Sequence, residues 1–193
     1  MPASPTDRPS APGDRLTALG DRLAALVDGA APRVEFGQLT VDVPATSWVS
    51  AATAARDDPE TDLSCFDWLS AVDEMDAGFD VVLSVYSATH RHRALLRTRV
   101  PRSEPRLDSL VPVFAGADWH ERETHEMFGI DFAGHPGLAP LLLPPGFEGH
   151  PLRKDFVLAA RVAKAWPGEK EPGGDRPRRR LRPPGVPENW EQS

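Results

Sequence analysis

Residues 79–100, FDVVLSVYSATHRHRALLRTRV, hold two alternating runs separated by a short polar break. Phe79, Val81, Leu83 and Val85 fall on one face of an extended chain, and so do Ala94, Leu96, Thr98 and Val100. A period of two is the mark of half-buried strands. Ser87 to Arg91 is short enough to be a hairpin loop, so the pair predicts an antiparallel hairpin around which the rest is organised. The other face of the second run carries Arg93, Leu95, Arg97 and Arg99. A basic stripe of this kind reads as a solvated sheet face more often than as a docking surface.

Working outward, Leu39-Thr40-Val41-Asp42-Val43 alternates in the same way and stops at Pro44. Ser47 can cap a short helix through Arg56, and Leu63 to Leu69 is apolar and aromatic enough for a further strand. Upstream, Leu16, Leu19, Leu23 and Leu26 recur at helical spacing behind Asp14 as N-cap, with a stop near Asp28-Gly29. Downstream, a short helix is expected from Asp108, with Leu110, Val113 and Phe114 inward. A second starts at Asp118, with Glu121 as its capping-box partner and Gly129 as its stop. Ile130 to Phe156 is loop-like. This order predicts an α+β two-layer domain over 14–158, a mixed or antiparallel sheet packed by helices. Residues 1–13 are expected to be disordered, and 159–193 to form an extended Pro/Arg-rich tail.

Of the 193 residues, 21 are Pro and only one is Cys. No stretch is long and apolar enough for a transmembrane helix, and the first residues lack the pattern of a secretory signal. Cys65 alone rules out an intramolecular disulfide, a Cys-rich zinc site and an iron–sulfur cluster held by this chain. The expectation is a soluble protein of a reducing compartment. Net charge is −7, with 20 acids against 11 bases in residues 31–160. An acidic body argues against nucleic-acid binding. The one dense basic cluster, Arg176 to Arg182, suits an arm touching an acidic protein surface or simply solvating itself.

Two segments could carry chemistry. In Trp119-His120-Glu121-Arg122-Glu123-Thr124-His125-Glu126 a His-Glu pair occurs twice, but the positions a zinc-protease helix needs for its second histidine hold Thr124 and Gly129. His120 and His125 are five apart and leave a helix on different sides. Glu123 and Glu126 could share a face, and Arg122 among the acids suggests an ion-pair network. The second segment is Gly149-His150-Pro151-Leu152-Arg153-Lys154-Asp155-Phe156, and Gly-His-Pro also occurs at Gly134-His135-Pro136. Each of these histidines is set by the following proline in an extended, stiff bend. Arg153 offers a planar fork for a carboxylate or a backbone carbonyl. No nucleophile motif and no phosphate loop accompanies them, so a stand-alone hydrolase using His120, His125 and the glutamates, or a basic-tailed adaptor, are the weaker readings.

The residues Glu121-Arg122-Glu123, Met127-Phe128-Gly129-Ile130, Phe132, Gly134-His135-Pro136 and Leu138, followed by Gly146 to Phe156, resemble the pattern of the C subunit of respiratory complex I, the proton-translocating NADH:quinone oxidoreductase. The strong similarity covers about 117–158 and a weaker one reaches back to about 33. His125 and Glu126 depart from the aromatic and aspartate usual there. The resemblance implies a peripheral subunit on the cytoplasmic side of a bacterial membrane, reaching the membrane only through its partners. It further implies no catalytic residue, metal or cofactor in this chain, with NADH, flavin, clusters and quinone bound by other subunits. Complex I subunits D, B and I are the implied partners, with D the one packed against. Glu121, Arg122, Glu123, His135, Pro136, His150, Pro151, Arg153, Lys154 and Asp155 are the implied docking residues. A related membrane-bound hydrogenase-type complex, or one fed by ferredoxin or deazaflavin, is the alternative assembly.

Overall fold

The computed structural model describes residues 12–157. A five-stranded sheet forms its centre, in the order β1-β2-β5-β4-β3, with β1 Ala31–Glu35, β2 Gln38–Asp42, β3 Cys65–Asp73, β4 Phe79–Ser87 and β5 His92–Val100. The hairpin expected from residues 79–100 is present, with Phe79 opposite Val100 and Leu83 opposite Leu96. The sheet is mixed because β2 runs parallel to β5 while every other pair is antiparallel. A separate pair, β6 Arg106–Asp108 and β7 Asp131–Ala133, is parallel.

Three helices, α1 Pro12–Leu26, α2 Trp48–Asp57 and α3 Ala117–Phe128, cover one face of the sheet. Leu19 and Leu23 from α1, and Trp48, Ala51, Ala52 and Ala55 from α2, meet Leu39, Val41, Val81, Leu83, Ala94 and Leu96 in one core. The side chains that alternate away from this core make the outer face. There the arginine stripe is paired: Arg97 Nε donates to Asp42 at 2.6 Å, Arg99 Nε to Asp80 at 2.5 Å, and Arg93 lies 3.3 Å from Asp67. Asp42 faces Arg97 and Asp80 faces Arg99 in register, so the stripe is one half of a cross-strand ionic ladder.

Several expectations are corrected. β1 has no alternation to announce it, because it is an edge strand paired on one side only and exposed along most of its length. Its connection to β2 is a two-residue turn, Phe36-Gly37, with φ of 52° and 75°. The strand sought at Leu63 to Leu69 begins at Cys65 and runs on to Asp73. No helix starts at Asp108: that residue ends β6, and Leu110 and Phe114 are buried from turns instead. Asp118 and Glu121 form no capping box, since Gly116 holds the N-cap position and Glu121 is drawn into the core. Ser47 precedes α2 without a side-chain cap. Helix α1 begins at Pro12, and the loop after Gly129 contains β7. The expectations for the first eleven residues and for the tail, including the arginine run, lie outside the described residues.

Candidate functional site

Helix α3 sets the geometry of both motifs. Ala117, Glu121, Thr124, Met127 and Phe128 form its buried face, and Gly129 ends it in the left-handed conformation at φ 71°. An acid at the centre of a buried helix face needs dedicated donors. Glu121, 0% exposed, takes the Ser109 hydroxyl through Oε2 and the Leu110 amide through Oε1, each at 2.6 Å. Burial pushes its carboxyl above the ordinary value, and these two donors only partly offset the effect. Glu121 thereby fastens the turn after β6 to α3.

The outer face of α3 holds the loop that follows. Arg122 donates to the carbonyls of Ala139 (3.0 Å) and Pro140 (3.1 Å), and its guanidinium lies 5.5 Å over the Trp119 ring. The expected Arg122–carboxylate network does not form, because Glu121 faces inward and Glu126 is taken. Glu126 accepts the amides of Leu142 and Leu143, each at 2.8 Å, with Leu141 further out at 3.3 Å. The Glu123 side chain makes no hydrogen bond or ion pair with the described residues. His135 accepts the Gly137 amide on Nδ1, which leaves Nε2–H to donate to Asp118 Oδ1 at 3.0 Å and to its carbonyl at 3.2 Å.

The second motif closes the helix end. The last carbonyls of a helix have no partner within it. Here His150 Nδ1–H donates to Glu126 O (2.9 Å), Leu152 N–H to Met127 O (3.1 Å) and Arg153 Nε–H to Phe128 O (2.5 Å). Of the two acceptors open to Arg153, it takes the carbonyl. Its guanidinium also packs 5.2 Å over Phe79, on the first residue of β4. Asp155 meets Arg102 at 2.7 Å, and Arg102 reaches Asp73 at the same distance. His120 and His125 bind the Leu69 and Ile130 carbonyls respectively and do not converge.

Asp73 was not singled out from the sequence, although an acid in line with Leu69 and Ala71 on an inward face is the signal for it. Its buried side chain accepts the amides of Met75 and Lys154, each at 2.8 Å, besides Arg102. Burial opposes its ionisation, but these donors outweigh it and hold the carboxyl below its ordinary value. Stability from Asp73 is therefore present above the unfolded value, about 3.9, and is lost as pH falls through the lowered one. Protection of the Lys154 amide, taken relative to its intrinsic exchange rate at each pH, should fall below about pH 4 in the wild type. In Asp73→Asn that protection should already be low at neutral pH and change little with acidification.

Most polar side chains of the two motifs are thus spent inside the chain, where they rigidify the loop. Among the large apolar side chains, Trp119, Leu142, Leu152, Val157 and Met75 are exposed. Pro136 and Lys154 are exposed as well, while Pro151 is half-buried. The cleft between α3 and the loop, lined by His125, Leu143 and Phe147 among others, holds about 180 Å³. That is below the roughly 300 Å³ at which small-molecule sites begin. The arrangement is a stiffened loop with a partly apolar outer surface.

Solved structures share this fold. A trypsin-resistant fragment (1–134) of Nqo5 superposes with a TM-score of 0.55 at 23% identity, over 64% of this chain and 98% of the fragment. A chain of the membrane-bound sulfane sulfur reductase, an archaeal respiratory membrane complex, gives 0.57 at 23%, over 79% of this chain and 89% of that one. These likenesses establish the class of α+β domain. Residues 41–162 match the family model described as respiratory-chain NADH dehydrogenase, 30 Kd subunit, and the chain belongs to that family. Among its relatives are the C subunits of NADH-quinone oxidoreductase from Methylorubrum populi, 42% identical over 131 residues, and from Brucella abortus, 43% over 130. These alignments cover 67% and 66% of this chain, but only 59% and 63% of the relatives' own length.

Proposed function

We propose that the chain is a cofactor-free peripheral-arm subunit of a proton-translocating NADH:quinone oxidoreductase. It docks onto the quinone-site subunit (the D subunit), near subunits B and I, and reaches the cytoplasmic face of a bacterial membrane only through them. Family membership supports the assembly, and the exposed Trp119 on a helix whose polar side chains, Glu123 apart, are mostly engaged within the chain carries the docking reading. Large aromatics in such settings dominate interface energies. A lone cysteine cannot ligate a cluster, which agrees with a subunit that holds no redox centre. Among the described residues no helix is long and apolar enough to cross a membrane. The implied docking residues serve this surface indirectly: Arg122, His135, His150, Arg153 and Asp155 hold its shape, and Glu123, Pro136 and Lys154 are placed to touch a partner.

Charge reversal at Arg153 would dismantle the loop itself, so the informative variants are Trp119→Glu and Leu142→Glu. Tagged full-length protein in host membranes should bring down the quinone-site subunit and NADH:quinone activity. Either variant should lower that recovery at least about ten-fold, with the melting temperature unchanged, as loss of one interface hot spot implies. Unchanged recovery from both would sink the docking reading. Recovery of a hydrogenase-type or ferredoxin-oxidising partner set would assign the alternative assembly, in keeping with the occurrence of this fold in a second respiratory membrane complex.

A further inference from the structure

Strand β2 stops at Asp42. The Val43 amide still donates to Arg97 O at 2.8 Å, and Pro44 then turns the chain toward α2. β5 runs on through Thr98 and Arg99 to Val100, past its last partner on β2. The gap beside it is a cavity of about 380 Å³, lined by Arg33, Asp42, Asp80, Arg97, Thr98 and Arg99, with Val43 and Pro44 in its wall. That volume lies within the range of small-molecule sites. Thr98 alternates inward with Ala94 and Leu96, whereas Arg97 and Arg99 alternate outward. A single cavity lined by all three therefore passes through the edge of the sheet, where β2 has left off.

Two independent features of this cavity call for an anionic oxygen ligand. The first is a surplus of donors. A guanidinium carries five N–H groups. Arg97 and Arg99 each give Nε and Nη2 to a carboxylate, Asp42 and Asp80 respectively, and Arg33 gives Nη2 to Asp42. Arg97 Nη1 stays 3.8 Å from Asp80, beyond hydrogen-bond reach. Three guanidiniums against two carboxylates leave the lining one positive charge. Glu74 acts on Arg99 from outside it. The second feature is Thr98, 2% exposed, whose hydroxyl has no partner among the described residues. A buried hydroxyl left unpaired is costly. We propose that the cavity binds a small monocarboxylate, held by the unspent guanidinium N–H groups and the Thr98 hydroxyl. Asp42 and Asp80 disfavour a dianion. A phospholipid headgroup is the poorer fit, because the exposed acids Asp28 and Glu35 lie within two residues of lining positions and repel an anionic membrane. The site goes beyond the subunit reading and does not depend on it.

Benzoate is the probe. Titrated into purified full-length protein and followed by NMR, it should shift the Thr98 amide and the Arg33 and Arg97 Nε–H resonances saturably, with a Kd of about 1 mM or below. Arg33→Gln leaves Asp42 its pair with Arg97, so the variant should keep the wild-type melting temperature and bind at least about ten-fold more weakly. Thr98→Val should weaken binding about three- to ten-fold, yet melt no lower than wild type, because it removes an unpaired buried hydroxyl. Inorganic phosphate should bind at least about ten-fold more weakly than benzoate. No saturable shift, equal affinity for phosphate, unchanged affinity in both variants, or a lower melting temperature in Thr98→Val overturns the site. So does Arg33-dependent binding to vesicles of anionic phospholipid without binding of benzoate. All of this is read on the chain alone, so failure here leaves co-purification with the quinone-site subunit standing, and failure of that co-purification leaves this site standing.

Discussion

Glu121→Ala should be among the most damaging single changes in this domain. The carboxylate is fully buried and accepts two hydrogen bonds at 2.6 Å, so truncation leaves a cavity and strips the Leu110 amide and the Ser109 hydroxyl of their acceptor. An abandoned buried donor costs about 1–3 kcal/mol, and the lost packing adds to it, giving roughly 3–5 kcal/mol in all. Against a usual reserve of about 5–15 kcal/mol, much of the domain's stability would disappear. Thermal unfolding of the purified chain reads this directly. Glu121→Gln keeps an acceptor for Leu110, and its amide can donate to a Ser109 hydroxyl turned to accept, so the loss should be about 1 kcal/mol.

The same pair has a pH signature. Since burial lifts the Glu121 carboxyl above its ordinary 4.5, the native state holds this proton more tightly than the unfolded chain. Its favourable share is complete below the unfolded value and drains away as pH rises through the lifted one. Glutamine cannot titrate, so the stability gap between Glu121→Gln and wild type should narrow on going from pH 4 to neutral, roughly over that window. A widening gap would mean that the ionised carboxylate is the favoured buried form.

Gly129→Ala should loosen the second motif from the helix. Its φ of 71° strains any L side chain, at a cost of about 1–2 kcal/mol. The added Cβ would also fall against Arg153 Nη2 and lie 2.5 Å from His150 Nε2. Those two side chains hold Glu126 O and Phe128 O, so they must withdraw and leave helix-end carbonyls bare. The combined loss should reach about 2–4 kcal/mol. Gly134→Ala is the control, because Gly134 has a similar φ of 80° with nothing within 4 Å of the added atom. Backbone strain alone predicts equal losses in the two variants. Crowding predicts a larger loss at Gly129, together with fast exchange of the Leu152 amide, whose bond to Met127 O belongs to the same cap.

What could be read in advance follows from where the information resides. The β4–β5 hairpin and the helix over Leu19 and Leu23 were legible because one face of each is buried and the period shows. β1 was not, because an exposed edge strand has no such constraint, and Phe36-Gly37 lacks the Asn or Asp that marks a turn of this kind. The helix expected at Asp108 failed because Leu110 and Phe114 are buried by a turn pinned to Glu121, a contact spanning about a dozen residues that no local period records. Both polar motifs were found, but their acceptors were not. Arg122, His150 and Arg153 bond to backbone carbonyls, which every residue possesses and which leave no trace in side-chain identity.

The closure of α3 by residues more than twenty positions further along bears on the order in which the polypeptide matures. Strands β3 to β5 are neighbours in the chain and can pair as soon as they are synthesised, since local contacts form early. The helix that packs on them stays open-ended until His150 and Arg153 have left the ribosome. A nascent chain halted short of them would hold a nearly complete sheet beneath a frayed helix, the kind of half-finished product that chaperones retain.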